Sequence, residues 1–167
     1  MFHSTLRRTI LASTLLAAFA VSVGTPLTAQ AQDQNSTAAV NLDTQGVALH
    51  GYDPVAYFTV KAPTLGKAAY THTFEGATYR FASKDNLEKF KAHPAQYAPQ
   101  FGGFCAMGVV LEKKLDGDPQ AWRVVDGKLY LNVNKDIQKK WLEDVPGHIV
   151  KAGQAWPSIK NKAPKDL

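Results

Sequence analysis

The sequence has a single cysteine, Cys105, among its 167 residues. One thiol excludes an internal disulfide, so stability must come from the packing of apolar side chains. Three roles are open for this lone cysteine: burial as a small apolar side chain, metal ligation, and redox or intermolecular disulfide chemistry.

The sequence also lacks the local motifs of the common enzyme classes. It has no Gly-x-Ser-x-Gly elbow, no phosphate-binding Gly-Lys-Thr loop, no dinucleotide fingerprint, and no Cys-x-x-Cys or His-Glu-x-x-His pattern. The net charge is only +5 at pH 7, without lysine clusters interleaved with aromatics. We therefore expect no nucleic-acid partner, and a binding protein is favoured over an enzyme.

A long apolar run is missing too, except near the start of the chain. Residues 1–31 have the pattern of a cleavable signal peptide: Arg7 and Arg8, an apolar segment over 10–23, and a small-x-small site that ends at Ala31. The apolar segment is shorter than the roughly 20 residues that span a bilayer. Cleavage after Ala31 predicts a periplasmic or secreted protein without a membrane span, and the arginine pair leaves Sec and twin-arginine export both open.

The rest of the chain has the length of one domain. Residues 32–46 are small and polar and predict a flexible lead-in, residues 47–157 predict the folded domain, and residues 158–167 predict a basic tail.

Two hairpins, each followed by a helix, are predicted within this domain. Alternation over 69–81 predicts the first hairpin, and Ser83 predicts the cap of a helix over 84–92. A glycine- and aromatic-rich loop is expected over 97–108. The fold class is therefore α+β, a single small domain.

The second unit follows the same order. Asp126-Gly127 predicts a tight turn between strands at 122–125 and 129–133. The apolar spacing predicts a helix over 134–143, broken by Pro146-Gly147, and a short helix over 148–155. The ordered region is expected to close at Trp156-Pro157.

The densest block of candidate site residues is 51–58. Asp53-Pro54 predicts a turn, with Tyr52 and Tyr57 on either side of it. Two interpretations are open: a packed turn in which Asp53 accepts backbone N–H groups, or the wall of a polar pocket in which Asp53, Tyr52 and Tyr57 face a cofactor or ligand.

Four ordered blocks together resemble the exported bacterial YHS-domain proteins. They are residues 51–58, 79–90, 97–108 and 126–132. The resemblance covers about Val47 to Pro157 and implies a small α+β domain. For the wider YHS group it implies binding of heavy-metal ions, here copper or zinc.

The sequence departs from the metal pattern of that group. The resemblance implies two cysteines between the second hairpin strand and the helix, but the matching positions are Ala82 and Asn86, which supply no thiolate. Cys105 is therefore the first metal candidate and His50 the second.

These candidates combine into one prediction. We expect Cys105 and the 51–58 turn to meet in one polar recess that binds a metal ion or small ligand. The alternative is a structural or interaction module with an inert, buried Cys105 and no metal.

Overall fold

A computed structural model describes residue 1 and residues 31–167 of the chain. The predicted signal peptide lies almost wholly outside these described residues, so its cleavage stays a prediction. No helix among the described residues is long and apolar enough to cross a membrane.

Two antiparallel hairpins form the β structure of the described chain. The first pairs β1 (Lys67–Phe74) with β2 (Ala77–Phe81), and the second pairs β3 (Asp118–Val125) with β4 (Lys128–Asn132). Both turns are tight, and both predicted hairpins are confirmed. At the second, Asp126 and Gly127 each have positive φ, as a type I′ turn requires.

Helices follow both hairpins, which confirms the predicted α+β class. The α-helices in the described part are α1 (Ala56–Thr59), α2 (Lys84–Ala92), α3 (Pro94–Tyr97), α4 (Ala106–Val110), α5 (Lys135–Leu142) and α6 (Val145–Ile159). Short 3₁₀ turns lie at Leu49–Gly51, Gln100–Gly103 and Pro164–Asp166.

Side-chain caps start the two helices that follow the hairpins. Ser83 accepts a hydrogen bond from Asn86 N at the start of α2, and Asn134 accepts one from Ile137 N at the start of α5. Each cap satisfies a backbone N–H that has no partner within its helix.

Two local predictions were wrong. The 97–108 segment is not a continuous loop, because it contains a 3₁₀ turn and the start of α4. The predicted short helix is longer, since α6 begins at Val145 with Pro146 in its first turn, where proline's missing N–H costs no helix bond. Pro157 lies inside the last turn rather than ending the helix.

One hydrophobic core joins the two hairpins. Tyr79 and Phe81 of the first hairpin and Leu129 and Leu131 of the second are at most 1% exposed and belong to the same cluster, together with Phe90 of α2. The hairpins therefore form one packed unit, and residues between them can share a site.

Both ends of the described chain pack against this unit. Gln32 Nε2 donates to Lys114 O at 3.0 Å, and Lys165 N donates to Gln34 O at 3.2 Å. Ile159 and Ala163 are buried. The segments predicted as a flexible lead-in and a basic tail thus contact the domain, while the domain boundaries stay a prediction.

Candidate functional site

The Asp53 carboxylate, which the sequence made a pocket candidate, lies fully buried at 0% exposure. Its Oδ1 accepts hydrogen bonds from Val55 N at 2.8 Å and Ala56 N at 3.3 Å. Its Oδ2 accepts from Ala82 N at 2.9 Å and Asn86 Nδ2 at 2.6 Å. These four donors fasten the start of α1 to the link between β2 and α2, so the carboxylate has a structural role.

The two positions that lack the family's cysteines take part in this same cluster. The Ala82 backbone and the Asn86 side chain both donate to Asp53 Oδ2. The chain therefore has a closed hydrogen-bond network here, where the resemblance implied thiolate ligands.

Tyr57 is buried beneath the second hairpin. Its hydroxyl donates to Pro119 O at 3.1 Å, and its ring packs edge-on against Trp122 with centroids 5.1 Å apart. Burial raises the pKa of the Tyr57 phenol far above its usual value, with smaller contributions from Tyr52, Asp118 and Asp53. This hydroxyl stays protonated and anchors the 51–58 turn to β3.

Cys105 lies at the start of α4 with 0% exposure. Its Sγ accepts from Gly108 N at 3.3 Å, as a helix cap, and donates to Asn132 Oδ1 at 3.8 Å. Burial raises the pKa of the Cys105 thiol, although backbone hydrogen bonds partly oppose that rise. A buried neutral thiol is a poor nucleophile and a poor metal ligand.

The surroundings of Cys105 do not fit a metal centre. Among residue 1 and residues 31–167, no group of three or more histidine, cysteine, aspartate and glutamate side chains could hold an ion. Asp53 and Cys105 have separate hydrogen-bond partners, and no hydrogen bond in the described chain joins them. The structure gives no support for one recess shared by these two residues.

A different cleft brings two other predicted residues together. It has a volume of about 350 Å³, and we call it the His50 cleft. Its lining residues are His50, Tyr52, Asp116, Asp118, Pro119, Gln120 and Val133.

The first side of the His50 cleft is the 3₁₀ turn Leu49–Gly51. His50 has a left-handed backbone, φ 51°, which is uncommon for a residue with a side chain. Its Nε2 lies 2.8 Å from Asp116 Oδ1, and the two side chains are 16% and 35% exposed. An imidazole held against a carboxylate has a fixed orientation at the edge of the cleft.

A buried amide completes this cluster. Asn41 is 6% exposed, and its Nδ2 donates to the same Asp116 oxygen at 2.7 Å. Within the described chain its Oδ1 is buried and has no hydrogen-bond partner. The Asn41 amide beside the His50 cleft therefore has an acceptor without a hydrogen bond, whereas both oxygens of the Asp53 carboxylate are hydrogen-bonded.

The opposite side of the cleft is the start of β3. Gln120 Nε2 donates to the Tyr52 hydroxyl at 3.4 Å, and Asp118 Oδ1 accepts from Gln120 N at 2.8 Å. The hydrogen bond from the Tyr57 hydroxyl to Pro119 O keeps the aromatic turn next to this strand. The cleft thus combines imidazole, phenol, amide and carboxylate groups.

Comparison with known protein families gives one match within this structure. The model of the YHS domain matches residues 53–101. A YHS domain is present. The comparison with curated proteins gives no match, and the comparison with solved structures gives none either.

The match separates the candidate residues into two groups. The YHS domain begins at Asp53 and includes Tyr57, whose contacts are structural. His50, Tyr52 and Asp116 of the cleft lie outside the matched range. The cleft is therefore formed where the chain before and after the YHS domain meets.

Sequence reasoning missed Asn41, Asp116, Asp118 and Gln120. The acidic pair with an intervening glycine was a visible local signal, but nothing in the spacing connected it to His50, 66 residues earlier. Only the folded chain shows that these groups are neighbours.

Proposed function

We propose that the chain is an exported YHS-domain binding protein that holds a small cation in the His50 cleft. The observation that carries this proposal is the charge of the cleft walls. Asp116 and Asp118 both line it, and its lining includes no lysine or arginine. The two carboxylates outnumber the single histidine of the lining, and a concave site with an excess of carboxylates favours a positively charged occupant.

Zinc and copper(II) are the first candidates for that cation. Imidazole nitrogen and carboxylate oxygen are ligands for both metals, and His50 and Asp116 would supply one of each when the ion displaces the proton between His50 Nε2 and Asp116 Oδ1. The YHS family is associated with metal-related proteins, which adds support. Since the described chain offers no three-residue metal group, we expect water to complete the coordination and the affinity to be modest.

The proposed location moves the metal away from Cys105. The sequence alone favoured the cysteine as first ligand, but its sulfur is enclosed and already hydrogen-bonded to Gly108 and Asn132. Export, the other part of the proposal, rests on the leader pattern in residues 1–31.

A titration with zinc sulfate and copper(II) sulfate, followed by thermal unfolding, tests this function. A ligand that binds the folded state raises Tm as its concentration exceeds Kd. We expect a rise for wild type and its loss in Asp116→Asn. Asp136→Asn is the matched control, because Asp136 is an exposed carboxylate on α5 whose one ion-pair partner among the described residues is Lys139.

Ethanolamine hydrochloride provides an organic cation for the same assay. Stabilisation by ethanolamine but by neither metal would support a cation site in the cleft and would contradict the proposal that its occupant is a metal ion. If no cation stabilises wild type, or if Asp136→Asn removes the effect as fully as Asp116→Asn, the proposal is wrong.

The second candidate function is a structural or interaction module with an inert thiol. The complete burial of Cys105 and its role as the α4 cap favour this candidate. It becomes the better account if none of the three cations stabilises the protein.

A further inference from the structure

A second cleft lies between the YHS domain and β3 and has the opposite charge. Its volume is about 390 Å³, within the range of small-molecule sites. We call it the aromatic cleft, and its lining residues are Tyr57, Phe58, Lys61, Trp122, Arg123 and Val124.

Aromatic rings make up much of the walls. The Tyr57 ring packs edge-on against Trp122, with an interplanar angle of 67°, and Phe58 packs edge-on against Tyr97. Because the Tyr57 hydroxyl is already bonded to Pro119 O, this residue offers the cleft only its ring. Phe58 and Trp122 remain partly exposed, so apolar ring surface is open to a ligand.

Two positively charged side chains lie at the edge of this aromatic surface. Lys61 and Arg123 are exposed, and across residues 31–167 neither has a carboxylate within ion-pair distance. No acidic residue belongs to the lining of the cleft. The positive charge is therefore available to a ligand, unlike that of Lys89 or Lys139, which pair within their own helices.

We propose that the aromatic cleft binds an aryl carboxylate. The flat ring lies against Trp122 and Phe58, and the carboxylate pairs with Arg123 and Lys61. The guanidinium group suits this role because its planar donors match both oxygens of a carboxylate. The proposal is independent of the cation site, since the two clefts carry opposite charge and have different lining residues.

Calorimetric titrations with indole-3-acetate and with its neutral analogue indole-3-acetamide test the proposal. The two probes share one ring system and differ in charge. We expect the carboxylate to bind about tenfold more tightly than the amide. We also expect added salt to reduce this difference, since the two cations are solvent-exposed.

The double variant Lys61→Gln/Arg123→Gln isolates the contribution of charge. It should bind the two probes with similar affinity, whereas Lys151→Gln, an exposed lysine on α6, should behave as wild type. Circular dichroism and thermal unfolding check that each variant is folded. Equal affinity of the two probes for wild type, a preference retained in the double variant, or no binding below about 5 mM would overturn the proposal.

Discussion

Asp53 and Asp116 are both surrounded by polar groups, Asp53 by its four hydrogen-bond donors and Asp116 by the other groups of the His50 cleft. The two sites differ in how many of their polar atoms have a hydrogen-bond partner. The Asp53 carboxylate is fully buried and accepts four hydrogen bonds from the chain. Asp116 is 35% exposed, and the amide oxygen of neighbouring Asn41 has no partner in the described chain. One arrangement is closed, and the other faces solvent.

This difference separates structural from ligand-binding roles. A buried carboxylate with every oxygen bonded has no capacity for a ligand, and its removal leaves several donors without partners. A half-exposed carboxylate beside an unsatisfied amide keeps that capacity and contributes less to folding. The position of the YHS domain does not make this distinction, since Asp53 lies inside the matched range and Asp116 outside it.

The largest expected effect comes from Asp53→Ala. The substitution leaves Ala82 N and Asn86 Nδ2 without their acceptor and releases the start of α1. We expect the free energy of unfolding to fall by about 3 kcal/mol or more, measured by urea denaturation.

Asp116→Ala is the matched substitution at the cleft. It should cost about 2 kcal/mol, less than Asp53→Ala, because the Asp116 carboxylate is partly solvated and Asn41 Nδ2 is the one buried donor of the described chain that loses its acceptor. If the Asp116 variant loses as much stability as the Asp53 variant, the proposed difference between a structural and a ligand-binding aspartate is wrong.

Lys114→Met tests a second saturated cluster. Lys114 is 2% exposed, and its Nζ donates to the carbonyls of Ala38, Lys160 and Lys162 at 2.8, 3.1 and 2.7 Å. Without this donor the three carbonyls are unpaired, so we expect a loss of about 2 kcal/mol in urea unfolding. An unchanged stability would show that these contacts do not hold the segment at Ala38 against the segment at 160–162.

The same lysine predicts a pH dependence. Burial lowers the pKa of Lys114 from 10.5 to about 8. Between these two values the unfolded chain binds the proton and the folded chain has lost it, so the free energy of unfolding must rise with pH in this window.

Urea denaturation at several pH values checks that sign. From pH 8 to 10 the expected rise is about 2 kcal/mol in wild type, absent in Lys114→Met and retained in Lys151→Met. A fall in wild type over this range, or an equal rise in Lys114→Met, is the contrary result.

Cys105→Ala should have a smaller effect on stability. It removes the α4 cap and a buried sulfur, at a cost of about 1 kcal/mol. In folded wild type, Ellman's reagent should react with Cys105 no faster than the protein opens, because the thiol is enclosed. Rapid labelling of the native protein would instead identify an accessible, reactive cysteine.

The smallest expected change in stability belongs to Tyr52→Phe. Its hydroxyl accepts one long hydrogen bond from Gln120, so we expect a loss of about 0.5 kcal/mol or less in thermal or urea unfolding. A loss comparable to that of Asp53→Ala would place Tyr52 in the structural group.

The elements of the fold could be predicted because their signals are local. Ser83 and the turn at Asp126 and Gly127 act within a few residues, and both appear as expected. The interpretation of Asp53 as a packed turn was one of two open alternatives, and its four hydrogen bonds support that alternative.

The candidate site could not be predicted in the same way. His50 and Asp116 meet only after the chain has passed through the whole YHS domain. Whether a carboxylate is saturated depends on donors brought by distant segments, as Asn41 and Asn86 show. Neither property has a signature in residue spacing.

Amide chemical-shift mapping by NMR during a titration with zinc sulfate tests the central claim most directly. The claim is that the cation site is the His50 cleft, whereas Asp53 and Cys105 are structural. We predict that the largest shifts occur at His50, Asp116 and Gln120. Largest shifts at Gly108 and Asn132, the hydrogen-bond partners of Cys105, would contradict it.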